Sequence, residues 1–445
     1  MPQKRSQVCL PLSLASAGES SAVEELLAAR IASVQSLYLS LLSGEFLSQA
    51  RERENNHVYN TPVVMLLMIL QRLRPEGSLE SAMLKLLGLP ASLWLQPGAR
   101  TMSTNTDAYN NARQKLPLQA VEEFADNAFA QMTACANGSS PTIGRRAFVF
   151  DGTTVQTPHT KALRQLYPPT SNQEGKSHGP LIRMLVAHDV TTGLGMRPEW
   201  GAVNGPHAVS EQRLFEQAVQ RLPEQAVVVT DANFGVFSAA FAATRQNHPV
   251  VARMTAALAK SLLKGPLLDG IDKRIDWKPT KADCKTNPAL PLEACVSGRL
   301  IVSHVQPNDG GASFLLCLFT TLEEDVEEIL KIYGLRWNVE TDLGSLKGTL
   351  RLDPLTCKTP EMLDNEIQIA MLSYNLVRAV IYQAAQQAGA APRTFSFTRV
   401  NRILKFYGAK IEAATTVEET ERLIALMNHY IGQAKLYPRK KKRPA

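Results

Sequence analysis

No stretch of this sequence stays apolar for long enough to cross a bilayer. The longest run, "VVMLLMIL" from Val63 to Leu70, falls far short of the roughly 20 residues a membrane helix needs. The six cysteines include no CxxC pair, so neither a zinc ribbon nor a dithiol redox motif is expected. Scattered thiols in a 445-residue chain fit a reducing cytosol. The eight histidines show no HExxH or comparable ligand spacing and read as surface or core residues. The first twenty residues place cations before a weakly apolar piece broken by Pro11, which argues against a secretory signal peptide. Internal repeats are lacking too.

What remains is a globular composition, 44% hydrophobic and 20% charged, in a chain long enough for about two or three domains. The net charge of +7 favours an acidic partner such as nucleic acid. That signal is weak, because many basic proteins bind none.

Residues 22 to 140 read as helical. "TPVVMLLMILQRLR" forms one helix, "PEGS" (Pro75 to Ser78) a turn, and "LESAMLKLLG" a second helix ending at Gly88. Such a pair suits a DNA-binding helix-turn-helix or an ordinary helical hairpin. The texture changes after the loop "NGSSPTIG". "RRAFVFDGTTVQTP" reads as a strand, and "IRMLVAHDVTTGLGMRPEW" as a hairpin turning at Thr191, Thr192 and Gly193. "SEQRLFEQAVQRLP" has helical periodicity, "QAVVVTDANFG" is a buried strand with a polar end, and "VFSAAFAATRQN" is a helix. This order predicts an α/β layer architecture. Residues 248 to 320 alternate short strand candidates with Pro, Gly and Lys and read as a β-rich insertion. From Thr321 the chain is helical again, with Thr321 and Glu324 as a capping box. Five consecutive cations, Arg439 to Arg443, form a basic tail able to add phosphate contacts.

One helical stretch, "YGLRWNVETDLGSLK", carries two stripes. Advancing 100° per residue places Tyr333, Arg336, Glu340 and Lys347 within about 60° of one another. Ile332, Leu335, Val339, Leu343, Leu346 and Leu350 form a separate apolar stripe. The polar stripe has two readings. One is a solvated flank with an Arg336–Glu340 ion pair. The other is a phosphate-handling edge, with two cations and a phenol for phosphate oxygens and a carboxylate for a metal. Gly344 and Gly348 flank the stripe, where a missing side chain lets a ligand reach the backbone. Gly334 lies off it.

A hard divalent cation needs further oxygen ligands. Asp151 in "FVFDGTT" and Asp231 in "VVVTDANF" each follow an apolar strand run, a position that also suits a turn or a helix cap. Asp189 in "AHDVTTG" precedes a turn and is assigned a hairpin role.

Taken together, these residues resemble a known group. Asp151, Asp231 and Glu340 look like the Asp-Asp-Glu triad of ribonuclease-H-like transposases. The spacing of Tyr333, Arg336, Glu340 and Lys347 is similar to the Tyr-Arg-Glu-Lys signature of the insertion-sequence-four family of bacterial transposases. "DGT", "DANFGVF", "LRW", "GPHAVSEQRLF", "YNNARQKLP" and "LDPLTCKTPEMLDNEIQIAMLSYNLVRAVI" also resemble family segments, so the likeness covers roughly residues 55 to 430.

The resemblance implies an α/β fold: a ribonuclease-H-like catalytic core interrupted by a β-rich insertion, with a helical N-terminal domain and a helical C-terminal region. The expected organisation is a DNA-binding domain over 1–140, core over 141–247, insertion over 248–320, core with the catalytic helix over 321–385, and a helical region with the basic tail over 386–445. It further implies that Asp151, Asp231 and Glu340 bind two Mg²⁺ ions, with Mn²⁺ as a substitute, for in-line phosphoryl transfer on double-stranded DNA. Tyr333, Arg336 and Lys347 would hold phosphates of the element end. Trp277 resembles the family aromatic that stacks on a flipped base, although a core tryptophan suits the same text. Arg253 is a candidate backbone contact. The implied actor is a cytoplasmic, nucleoid-associated homodimer that cleaves terminal inverted repeats, by way of a hairpin, and joins them to target DNA. A non-catalytic DNA-binding relative and a nuclease without strand transfer are the alternatives.

Overall fold

The computed structural model describes residues 34–47, 49, 58–73, 78–87, 105–136, 144–170, 179–306 and 312–436. The turn at residues 75–77, the helix end at Gly88, most of the loop at 137–144 and the basic tail lie outside the described residues. Those that are described divide into two compact units: 34–136 with 348–352 and 360–436, and 144–347 with 353–359.

The first unit is helical. Its axis is helix Pro360–Gln387, whose 28 residues are buried over most of their length. Helices Val34–Ser40, Thr61–Leu73, Leu118–Cys135, Phe397–Ala413 and Val417–Gly432 all pack on it. Helix Thr61–Leu73 starts as the sequence predicts. Asn60 Oδ1 accepts from the Val63 N–H (3.2 Å), and Pro62 sits in the first turn, where its missing N–H costs nothing. Every residue from Thr61 to Leu70 is buried, so "VVMLLMIL" is core. Burying charge in such a core requires partners. Glu366 is met by Arg72 Nη2 at 2.5 Å, and Arg72 Nη1 also donates to the Arg351 carbonyl at 2.8 Å. Arg378 donates to the Tyr374 hydroxyl at 2.8 Å and lies against the Tyr374 and Phe397 rings. Among the described residues, no helix is long and apolar enough to cross a membrane.

The second unit is built on one eight-stranded sheet. The strands are β1 (Ala147–Gln156), β2 (Leu181–Asp189), β3 (Glu199–Ala202), β4 (Val227–Thr230), β5 (Val250–Arg253), β6 (Ile271–Trp277), β7 (Val296–Val305) and β8 (Phe314–Thr320), in the order β3-β2-β1-β4-β5-β8-β7-β6. β1, β4 and β5 run parallel and every other neighbouring pair is antiparallel. The parallel strands are continuous apolar runs, as strands covered on both faces must be. Side chains alternate between faces. Val149, Val227, Val229 and Val251 share one face, covered by Ile329, Ile332, Tyr333 and Val339 from the helical stretch after β8. Asp151 and Asp231 continue the rows of Val149 and Val229 toward that same stretch.

Several expectations change. The 248–320 stretch carries four strands that join the one sheet: β5 pairs in parallel with β4, and β8, β7 and β6 follow it. Helix Pro360–Gln387 belongs with the helical unit, because its apolar residues meet helices Thr61–Leu73 and Leu118–Cys135. Thr321 is no helix cap. Its Oγ1 accepts from the Val250 N–H (3.0 Å) and its own N–H donates to the Val250 carbonyl, so the β5–β8 ladder uses both groups. The next helix instead begins at Val326, with Asp325 ahead of it.

The stretch that carries the two stripes is not one regular helix. An α-helix, Val326–Gly334, passes into a 3₁₀ turn, Leu335–Trp337, then an α-helix, Asn338–Gly344, and a π turn, Ser345–Thr349. Gly334 and Gly344 each close an α segment at the point where the hydrogen-bond register changes. Glycine weakens a regular α-helix by about 1 kcal/mol relative to alanine, which lowers the cost of such a change.

Candidate active site

β1 and β4 pair Val149 with Val229 in parallel register. Two residues further on, Asp151 within β1 and Asp231 just past β4 stand side by side. Helix Asn338–Gly344 packs on β1 and brings Glu340 to the same end. Asp151 feels all of this. Burial and then the Asp231 charge, with a smaller push from Glu340, raise its carboxyl to about 6, against the opposing pull of the Gly152 N–H and Arg336. The Asp231 carboxylate is itself oriented, its Oδ1 accepting from the Asn233 N–H at 2.9 Å.

The four residues of the polar stripe do not share one environment. The Tyr333 ring is buried in the core, and its hydroxyl has no hydrogen-bond partner of acceptable geometry. Burial raises its pKa, while the guanidinium groups of Arg336 and Arg253 lie near enough to pull it back. The Arg336 side chain is only 8% exposed, and its Nη2 lies 4.0 Å from Oε1 of Glu340, whose own side chain is 47% exposed. Its Nε has no hydrogen-bond partner. Its guanidinium rests 4.4 Å from the centre of the Trp337 ring, and Trp337 is 55% exposed. Lys347 reaches β1, donating to Thr153 Oγ1 (3.2 Å) and the Thr154 carbonyl (2.9 Å), and pairs with Asp353 at 3.1 Å. The i,i+4 pair expected of a solvated flank is therefore present, but its arginine is buried and incompletely bonded, which no solvated flank requires.

Trp277 and Asp189 lie apart from this group. Trp277 is 2% exposed, edge-on to Phe237 and Phe319 within an apolar cluster. It takes the core position that the sequence left open and presents no face for a base. Asp189 holds its hairpin: Oδ1 accepts from the N–H groups of Thr191 (2.9 Å) and Thr192 (2.7 Å), and Oδ2 meets Arg146 at 2.8 Å. Arg253 closes β5, with its guanidinium 5.6 Å from the centre of the Phe314 ring.

Among the described residues, no three His, Cys, Asp or Glu side chains stand close enough together to hold a metal ion as they are placed. The donor chemistry nonetheless suits a hard divalent cation: the candidate donors are all carboxylate oxygens, and a cation would relieve the repulsion that raises Asp151. Glu211, Asn233, Trp337 and Asp353 also belong to this neighbourhood and carried no assigned role in the sequence. Glu211 in "SEQRLF" is an ordinary first-turn acid by sequence, and only the folded sheet brings it beside Gly152.

Comparison with known proteins defines the class. A family model described as a transposase DDE domain matches residues 142–376, more than half of the chain. The transposase InsG for insertion sequence element IS4 from Escherichia coli (strain K12) is 24% identical over 294 residues, 64% of each protein. The chain thus spans 64% of that relative's length. Among solved structures, the piggyBac transposase synaptic complex with hairpin DNA, determined by cryo-EM, aligns over 92% of this chain and 84% of its own, with 13% identity and a TM-score of 0.36. The chain belongs to the transposase DDE domain family.

Proposed function

We propose that this protein is the transposase of an insertion sequence. It binds the terminal inverted repeats of the element as double-stranded DNA, cleaves the ends by metal-dependent phosphoryl transfer and joins them to target DNA. The observation that carries this reading is the placement of Asp151 and Asp231, each two residues beyond the paired Val149 and Val229, with helix Asn338–Gly344 packed on β1 and bringing Glu340 to the same end. Carboxylates crowded in this way at the ends of neighbouring strands are costly to a fold and useful to a cation. The ribonuclease-H-like core implied by the family agrees with the order β3-β2-β1-β4-β5, in which β1, β4 and β5 are parallel.

In this reading Asp151, Asp231 and Glu340 are the metal ligands and Mg²⁺ is the resident ion, with Mn²⁺ as a substitute. Held by these carboxylates, such ions would supply activation of the attacking hydroxyl and charge stabilisation of the leaving oxygen. Glu340, now in long contact with Arg336, would supply one carboxylate ligand. The freed Arg336 donates to a phosphate of the element end, bidentately, and Tyr333 adds its unbonded hydroxyl. Lys347 transfers from Thr153, Thr154 and Asp353 to a phosphate as a point charge. The hairpin step, the homodimer in the synaptic complex and residence in the cytoplasm at the nucleoid follow from the family and complete the proposal.

The test is cleavage of terminal-repeat DNA in Mg²⁺. Asp151→Ala, Asp231→Ala and Glu340→Gln each abolish cleavage and leave DNA binding mostly intact. Full cleavage by Glu340→Gln would sink the assignment. A wild-type protein that binds the repeats and never cuts them is the DNA-binding relative, and one that cuts without joining is the nuclease.

A further inference from the structure

Glu211 opens helix Glu211–Val219 directly after its cap, Ser210. Its carboxylate lies against both segments that carry the aspartates. On the β1 side, a Cβ built at Gly152 would stand 3.0 Å from the Glu211 carboxyl carbon and 3.0 Å from Oε1. A side chain after Asp151 would therefore push the Glu211 carboxylate by a few tenths of an ångström. On the β4 side, Glu211 Oε2 accepts a hydrogen bond from the side-chain amide of Asn233. Asn233 in turn gives its backbone N–H to Asp231 Oδ1 at 2.9 Å. The carboxylate is held from behind by Arg183 of β2, whose Nε lies 3.8 Å from Oε1 and whose Nη1 is fixed on the Val209 carbonyl at 2.7 Å. The Arg183 Nε is buried without a hydrogen bond, so the Glu211 charge is what compensates it there.

A first-turn acid interacts favourably with its own helix, and that alone is worth only about 0.3–1 kcal/mol. It explains neither the contact with Gly152 nor the link through Asn233. We infer that Glu211 is a positioning residue: by bridging Gly152 and Asn233 it sets the separation of Asp151 and Asp231, and through it their affinity for a divalent cation. This inference rests on the proposed assignment of Asp151 and Asp231 as metal ligands. Glu211 acts through its neighbours and takes no ligand position itself.

The experiment uses the full chain without DNA and Mn²⁺ as the probe, and reads binding from the rise in Tm on titration. Glu211→Ala weakens Mn²⁺ binding roughly tenfold or more, the size typical of lost outer-shell support. Glu211→Gln keeps an oxygen facing the Asn233 amide and restores most of that affinity. Asn233→Ala matches Glu211→Ala, and the double variant is no weaker than either, because one chain of contacts is broken in all three. Wild-type Mn²⁺ affinity in Glu211→Ala, or effects of Glu211→Ala and Asn233→Ala that multiply, would overturn the inference. Should Glu211→Ala fail to fold, Gly152→Ala displaces the carboxylate from the other side. Weakened Mn²⁺ binding there supports the inference and unchanged binding overturns it. Wild-type Mn²⁺ binding by both Asp151→Ala and Asp231→Ala overturns the metal assignment itself, and the positioning role with it.

Discussion

Asp151 within β1 and Asp231 just past β4 each lie two residues beyond the Val149–Val229 pair of the β1–β4 ladder, close enough for the Asp231 charge to act on Asp151. That geometry stores repulsion. Asp151 is pushed up to about 6, first by burial and next by the Asp231 charge.

The metal-free protein should therefore lose stability as pH rises from about 4 to 6, because the native state holds the Asp151 proton longer than the unfolded chain does. Asp151→Asn removes that loss. With a chelator present, it should be more stable than wild type at pH 7, by on the order of 1 kcal/mol after solvent screening, and equal to it at pH 4. Urea unfolding at the two pH values measures this, and an Asn variant less stable than wild type at pH 7 would contradict it.

Both aspartates were legible in the sequence because each ends an apolar run, "FVF" or "VVVT", that only a buried strand explains. The hairpin role of Asp189 was legible too, since Asp followed by Thr, Thr and Gly is turn chemistry. What escaped depends on pairing between distant segments. Nothing local in "HPVVARM" says that β5 lies beside β4 and not in a module of its own. Thr321 and Glu324 have capping-box spacing, but the Thr321 hydroxyl is taken by Val250, far away in the chain. Glu211 matters only because Gly152 and Asn233 converge on it. A constant 100° per residue also missed the 3₁₀ and π turns, which place Tyr333, Arg336, Glu340 and Lys347 in four different environments.

The two tryptophans should separate cleanly. Trp277→Ala empties a packed cluster and should cost about 3–5 kcal/mol in denaturant unfolding. Trp337→Ala, at an exposed site, should change stability by no more than about 0.5 kcal/mol. It should nonetheless weaken terminal-repeat binding, because the ring that seats the Arg336 guanidinium is gone. Binding by Trp337→Ala indistinguishable from wild type would remove Trp337 from the DNA face.

Tyr333→Phe deletes a buried hydroxyl whose contacts with the Arg253 and Arg336 guanidinium groups fall short of good hydrogen-bond geometry, so the variant should change stability by no more than about 1 kcal/mol. If the hydroxyl contacts a phosphate oxygen, as proposed, the variant's affinity for element ends should fall. Arg336→Ala should weaken binding and lower the salt slope of log K by about 1. Gel-shift titrations over a range of salt concentrations measure both effects. A Tyr333→Phe protein that is destabilised yet binds normally would show the hydroxyl to be structural.

The glycines of the stretch that carries Glu340 admit the sharpest separation of fold from function. A Cβ built at Gly334, Gly344 or Gly348 meets nothing within 4 Å, and none of the three has a positive φ. Side-chain packing and the sign of φ therefore give no reason for glycine at these sites. Propensity alone predicts that alanine stabilises the protein, by up to about 1 kcal/mol at each. If Gly344 and Gly348 instead admit DNA to the helix backbone, Gly344→Ala and Gly348→Ala should raise Tm and lower terminal-repeat cleavage together. Gly334 lies away from the polar stripe and marks the change from α to 3₁₀, so Gly334→Ala should raise Tm with cleavage largely kept. Equal loss of cleavage in all three variants would mean that the register changes of this stretch, and not close approach of DNA, are what the glycines serve.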